Sequence, residues 1–339
     1  MFESAIEISS GDAVLSATFC APSEKGTFPC VLMLPGSGPL DRDGNIKGQR
    51  LDAFNSIAHH LATKGFASLR YDKRGCGKSA GNYLRAGYFD FVADAAACFD
   101  RLQRHERCIA DQIYACGHSE GTMTAMHLSL ERPDIAGIIQ LCPLVENIDS
   151  ALLKQAHHVK KAVRELPGIK GRLYRLLFLI TRDPVTSSSR MIERVRSKQA
   201  RPREIESKHI GLKWLREMLQ LDIRHLYAQM RCPMMLIAGA KDFQCDPANV
   251  HSVRELTEAP IEVSVVENLT HTLRVDQEEP SVFRYTELLR RPVEPEVLDL
   301  ISTWLLQIRP PSQLQPSARS NSPIDRIHRQ QATNPGDDA

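Results

Sequence analysis

Six short runs in the chain are apolar almost throughout: PCVLML (29–34), FASLRY (66–71), QIYAC (112–116), IAGIIQL (135–141), PMMLIA (233–238) and IEVSVV (261–266). Runs of this length that do not alternate with polar positions predict strands buried on both faces of a parallel sheet. The segments between them repeat apolar residues at helical spacing. In LDAFNSIAHHLATKG (51–65), for example, Gly65 stands where a C-cap is expected. Strands alternating with helices predict βαβ crossovers and therefore a doubly wound α/β sheet. The first 30 residues alternate more loosely and predict an antiparallel hairpin at the sheet edge.

One segment breaks this rhythm. From about Glu146 to Gln229 the pattern is helical throughout and rich in Lys and Arg, which predicts a helical lid inserted on the sheet within one domain spanning residues 1–308. Residues 309–339 are Pro-, Ser- and Gln-rich with almost no large apolar side chains. Such a composition does not offset its ordering entropy, so a disordered tail is expected.

Composition narrows the function classes only slightly. Of the 339 residues, 42% are hydrophobic and 25% charged, which suits a soluble globular protein. A formal net charge of +2 argues neither for nor against a polyanion, and no nucleic-acid partner is expected. Nine cysteines without CxxC pairs suggest neither a disulfide framework nor a zinc site, and a reducing compartment follows. The N-terminus lacks the basic and apolar regions of a signal peptide, and LYRLLFLI (173–180) is too short to span a bilayer. A cytoplasmic protein without a transmembrane segment is expected.

The candidate chemistry begins at Gly117-His118-Ser119-Glu120-Gly121, a G-x-S-x-G pattern that is weak on its own. Its context strengthens it. QIYAC supplies a strand before the motif and TMTAMHLSLERP a helix after it, the setting of a nucleophile elbow. A serine hydroxyl needs a neutral imidazole to take its proton, and that imidazole needs a carboxylate to orient it. Asp242 follows the strand PMMLIA and His271 follows IEVSVV, in the order this arrangement requires. Asp246 and Asp149 are rivals for the acid, and Asp242 could instead cap a helix near Pro247. His118 and Glu120 fill variable motif positions and are assigned structural roles. The loop PGSGPLDRDGN (35–45) follows the first parallel strand. There the backbone N–H of Ser37 (or Gly38) would converge with that of Glu120 as an oxyanion hole.

GSGPLDRDGN (36–45), RYDKRGCGKSAG (70–81), GHSEG (117–121), GAKDFQ (239–244) and His271 together resemble α/β-hydrolase esterases. The resemblance is to the bacterial branch related to dienelactone-hydrolase-like and serine-aminopeptidase-like proteins, and its ordered motifs run from about Gly11 to Ile308. It implies a mostly parallel eight-stranded sheet, a Ser119–Asp242–His271 triad, and carboxylester hydrolysis without a cofactor; a small-molecule ester or thioester is the expected substrate, and no metal is expected because the sequence shows no metal-ligand cluster. The stretch between His271 and the last helix is longer than in many relatives and leaves the substrate open. Thioesterase, aminopeptidase and acyltransferase activities use the same triad, and a non-catalytic binding protein of this fold is the alternative from another class.

Two features remain. GCGKS imitates the end of a P-loop, but Asp72 stands where the motif needs glycine. The resemblance implies instead a turn after a strand in which Asp72 and Arg74 pair with each other. The apolar LYRLLFLI stripe, set in a basic surround, predicts either lid core or an acyl-pocket lining. The charges are either a solvated face or an attractor for an anionic substrate such as an acyl-CoA, or for an anionic lipid surface.

Overall fold

The computed structural model describes residues 1–206 and 210–308. Eight strands form one sheet: β1 (Phe2–Ser10), β2 (Ala13–Ala21), β3 (Phe28–Leu34), β4 (Ala67–Tyr71), β5 (Cys108–His118), β6 (Gly137–Leu141), β7 (Met234–Gly239) and β8 (Ile261–Val266). Their order across the sheet is β1-β2-β4-β3-β5-β6-β7-β8. The expected hairpin is β1–β2 at the sheet edge, and β2 also runs antiparallel to β4. All pairings from β4 onward are parallel.

The uninterrupted apolar runs are explained by burial on both faces. Alternate residues of a strand point to opposite sides of its sheet. Cys30, Leu32, Leu34, Leu236 and Ala238 join one core with the helices α2 (Tyr88–Gln103) and α3 (Glu120–Glu131). Their neighbours Val31, Met33, Met235 and Ile237 are fully buried yet lie outside that core, on the opposite face. On that face lies α1 (Ala53–Thr63), whose His60 Nε2 meets Ser302 Oγ of the last helix at 3.1 Å.

Between β6 and β7 the described residues contain helices only. They are α4 (Ile148–Glu165), α5 (Gly168–Thr181), α6 (Pro184–Arg196), α7 (Pro202–Glu206), α8 (Leu212–Met218) and α9 (Ile223–Ala228). After β8 the described residues form the helices α10 (Tyr285–Leu288) and α11 (Pro295–Gln307). Met1–Trp304 form one compact unit; the second, Leu305–Ala339, is described only as far as Ile308. The expected disordered tail therefore lies outside the described residues. No described helix is long and apolar enough to cross a membrane.

The turn after β4 differs from expectation. Asp72 and Arg74 do not pair with each other. Asp72 accepts a forked pair from Arg42 at 3.0 and 2.7 Å and also the Arg42 N–H, so it ties the loop after β3 to the turn after β4. Arg74 instead reaches Asp94 of α2 at 2.7 Å and Asp12 of the β1–β2 turn. The reason is geometric: β3 and β4 are neighbours in the sheet, so their C-terminal loops lie side by side.

Candidate active site

β5 delivers Ser119 to a turn of unusual backbone geometry. Its φ of 56° and ψ of −117° are strained for a residue with a side chain, and α3 starts at the next residue. The Ser119 N–H donates to the Leu141 carbonyl at 2.9 Å, while the Ser119 carbonyl accepts from Thr122 N–H at 3.0 Å. The flanking glycines are there because the backbones nearly touch. A Cβ on Gly117 would lie 2.1 Å from the Gly121 carbonyl oxygen, and a Cβ on Gly121 would lie 2.1 Å from that of Leu34.

The loops after β7 and β8 bring Asp242 and His271 together. His271 Nδ1 and Asp242 Oδ2 lie 2.8 Å apart, both side chains buried. The other carboxylate oxygen accepts the N–H groups of Gln244 and Cys245 at 2.8 and 3.0 Å. Burial pushes the Asp242 carboxyl up, but the His271 charge and hydrogen bond, with the two N–H donors, outweigh it and hold the group below its ordinary value. The rival acids are engaged elsewhere. Asp246 caps the 3-10 helix Pro247–Glu255 and pairs with Lys154 at 2.7 Å, and Asp149 pairs with Arg196 at 2.7 Å. Capping near Pro247 thus falls to Asp246, and Asp242 is left for the imidazole.

Ser119, His271, Ser37 and Glu120 line one cavity of about 450 Å³. Among the described residues no hydrogen bond joins Ser119 Oγ to His271, and the Cys245 thiol borders the hydroxyl. Much of the wall is apolar, including Leu152 of α4, Met191 of α6 and Trp214 of α8. Tyr285 and Leu289, from the long stretch after His271, close another side. None of the LYRLLFLI residues lines the cavity, and most of them are exposed, so the stripe is neither pocket lining nor buried core.

Several contributors were missed from sequence. His118 stacks obliquely on His271 with ring centroids 4.8 Å apart, and its Nε2 donates to the His271 carbonyl at 2.9 Å. Burial and the neighbouring His271 charge press its pKa down to about 3, so it stays neutral and keeps that donor role. Glu120 is buried, with Oε1 accepting from Lys73 Nζ at 3.0 Å and Oε2 from Trp214 Nε1 at 2.9 Å. Lys73 Nζ also donates to the Gly36 carbonyl at 2.9 Å and sits 4.1 Å from the Phe91 ring centroid. Arg274 fastens the His271 loop by donating to the Thr272 and Leu51 carbonyls at 2.7 and 2.6 Å. The motif spacing could not reveal these partners, because Lys73 and Trp214 lie 47 and 94 residues from Glu120.

His271 also belongs to two groups of donors whose ligand atoms lie within 4.8 Å of one another, one with His118 and Cys142 and one with Asp242 and Cys245. The second competes directly with the His271–Asp242 hydrogen bond. The donor set therefore fits an imidazole–carboxylate pair better than a metal site.

A mostly parallel eight-stranded sheet with a strand–turn–helix serine, flanked by helices, defines the α/β-hydrolase fold. A family model described as "Serine aminopeptidase, S33" matches residues 47–278, and the chain belongs to that family. It is 23% identical over 290 residues to Esterase EstD of Thermotoga maritima, an alignment covering 84% of this chain and 64% of that protein. Among solved structures it is similar to Est1E from Butyrivibrio proteoclasticus with ferulic acid bound: TM-score 0.57 at 17% identity, over 89% of this chain and 98% of that one. A thermophilic esterase from Thermogutta terrifontis superposes with a TM-score of 0.54 at 18% identity, over 91% of this chain and all of the other.

Proposed function

We propose that the chain is a serine carboxylic ester hydrolase with Ser119 as nucleophile, His271 as base and Asp242 as the acid that orients it. The observation that carries this reading is the placement of a strained-turn serine in the same cavity as an imidazole hydrogen-bonded to a buried carboxylate. The esterase names of the relatives support it, and assignment to the branch related to dienelactone-hydrolase-like proteins, suggested by the resemblance of the loop after β3, is part of the proposal.

In the reaction, Ser119 Oγ attacks the ester carbonyl carbon while its proton passes to His271 Nε2. The hydrogen bond between them closes when substrate seats, as is common for catalytic pairs that are open in the empty enzyme. Asp242 stabilises the imidazolium, and His271 then gives the proton to the departing alkoxide. The acyl-enzyme on Ser119 is cleared by water, deprotonated by the same imidazole. The N–H groups of Glu120 and Ser37 receive the oxyanion. A trans peptide points its C=O and N–H in opposite directions. Lys73, by holding the Gly36 carbonyl, therefore aims the Ser37 N–H of that same peptide away from itself.

The helical segment between β6 and β7 acts as the lid, with α4, α6 and α8 over the cavity and α5 outside it. Among the described residues no Lys or Arg lines the cavity, and its one carboxylate, Glu120, is committed to Lys73 and Trp214. The pocket thus suits a neutral ester with an apolar acyl group better than an acyl-CoA or the free amine of an aminopeptidase substrate. A cytoplasmic location is part of this reading. A panel of p-nitrophenyl esters of increasing chain length, acyl-CoAs and aminoacyl amides tests it. Each acyl CH₂ that enters the apolar wall adds about fourfold in binding until the cavity is full. Preference for acyl-CoAs or amides, or no turnover of any of them, contradicts it.

A further inference from the structure

Helix α5 carries its apolar stripe on the outside. Ile169, Leu173, Leu176 and Ile180 follow i, i+4, i+7, i+11 spacing, which at 3.6 residues per turn puts them within about 60° of arc. They are 83, 64, 54 and 77% exposed, and Leu179 beside them is 83% exposed. The opposite face is the one that packs: Gly171 is the buried residue of the helix, close against the Leu166 carbonyl. An amphipathic helix that covers a core does the reverse, and a solvated helix does not spend five large aliphatic side chains on water.

The charges around the stripe identify what covers it. Residues 160–182 hold seven Lys and Arg against one acid, Glu165. Lys160 pairs with Asp183, and Arg175 donates to the Val163 and Arg164 carbonyls at the end of α4 and to that of Leu166 in the connection to α5. Among the described residues no ion pair is recorded for Lys161, Arg164, Lys170, Arg172 or Arg182. Lys170 and Arg172 lie on α5 itself, to either side of the stripe. A second copy docked by the same face about a two-fold axis would bring these cations together, which opposes that assembly. Apolar side chains rimmed by unpaired cations match an anionic lipid surface, where aliphatic groups enter below the headgroups and cations meet the phosphates. At about 1.5 Å rise per residue the helix falls well short of a bilayer's hydrocarbon core of about 30 Å, so it would lie on the surface.

We propose that α5 docks the protein on anionic phospholipid bilayers, with Ile169, Leu173, Leu176, Leu179 and Ile180 entering the interface and Lys170 and Arg172 meeting the headgroups. This does not rest on the hydrolase reading. The test is flotation of the full chain with phosphatidylcholine vesicles and with vesicles also containing phosphatidylglycerol, at low and high salt. Binding is expected to the second kind only, and to weaken as salt rises. Leu176→Ser/Ile180→Ser should reduce partitioning by about tenfold or more. Lys170→Glu/Arg172→Glu should do so by a similar factor at low salt, since each cation near such a surface contributes about fivefold. Both variants should keep the melting temperature and the turnover of a soluble ester, because the side chains are exposed and outside the cavity. Equal binding to both vesicle types, no binding, or binding unchanged by Leu176→Ser/Ile180→Ser overturns the proposal. So does a concentration-dependent dimer that the same variant abolishes, which would make a second copy the occupant.

Discussion

Replacing Glu120 by glutamine should damage stability and turnover through separable routes. The carboxylate and Lys73 Nζ are 3.0 Å apart with both side chains 2% exposed, so neither charge has water to fall back on. Breaking a buried pair by removing one partner costs about 3–5 kcal/mol. Glutamine keeps an acceptor for Lys73 but turns an N–H₂ toward the Trp214 indole N–H, which leaves two donors facing each other. A loss of about 3 kcal/mol is expected, seen as a fall of several degrees in the thermal midpoint. The second route runs through the Gly36–Ser37 peptide. With Lys73 unpaired its hold on the Gly36 carbonyl slackens, and the proposed Ser37 donor loses its aim. Removal of an oxyanion donor costs about 10²–10³ in kcat, so misdirection of one should cost about tenfold to a hundredfold, with KM changing little. The assay is steady-state hydrolysis of a short p-nitrophenyl ester beside thermal unfolding, on Glu120→Gln, Lys73→Met and the double variant. Removing both charges should restore much of the stability, because no unpaired buried charge remains. It should leave kcat low, because nothing holds Gly36. A double variant that regains kcat together with stability would refute the positioning argument.

Other outcomes are equally specific. Asp242→Asn should lower kcat by up to about 10⁴-fold, while Asp246→Asn and Asp149→Asn, which break pairs with Lys154 and Arg196, should retain most activity in the same assay. Gly121→Ala should cost about 3 kcal/mol or more, read as a lowered melting temperature or loss of soluble protein, since its Cβ meets the Leu34 carbonyl. Acid should weaken the fold through Asp242 and Asp72. Burial pushes both carboxyls up, but the His271 contact in one case and the Arg42 and Lys78 hydrogen bonds in the other hold them below the ordinary value. The stability they supply is therefore full above the ordinary carboxylate range and is lost as pH falls toward the folded-state values. Melting curves from neutral pH to about pH 3 should accordingly fall less steeply for Asp72→Asn than for wild type.

The position and parallel type of the strands could be read from sequence wherever burial on both faces left an unbroken apolar run, while their order across the sheet could not. β5 shows the limit. It begins at Cys108, four residues before its apolar run, because backbone pairing to β3 continues past a register shift where side chains are half-exposed. The candidates Ser119, Asp242 and His271 could be picked out because chain order and strand ends constrain them together, and the structure places Ser119 and His271 on one cavity with Asp242 bonded to His271. The contacts of Lys73, Trp214 and His118 were not, since each joins segments far apart in the chain that only the folded arrangement brings side by side. The α5 stripe was misread for a different reason. Helical apolar spacing identifies an apolar face and does not show that the chain itself covers it, and on α5 that face is exposed.

The central claim is that Ser119 is the nucleophile, and covalent labelling tests it most directly. A fluorophosphonate probe should add one label to the native protein, mapped to the peptide containing Ser119. Ser119→Ala should abolish both label and ester turnover while leaving the melting temperature little changed. A label on another serine, or folded wild-type protein that takes none, would contradict the account.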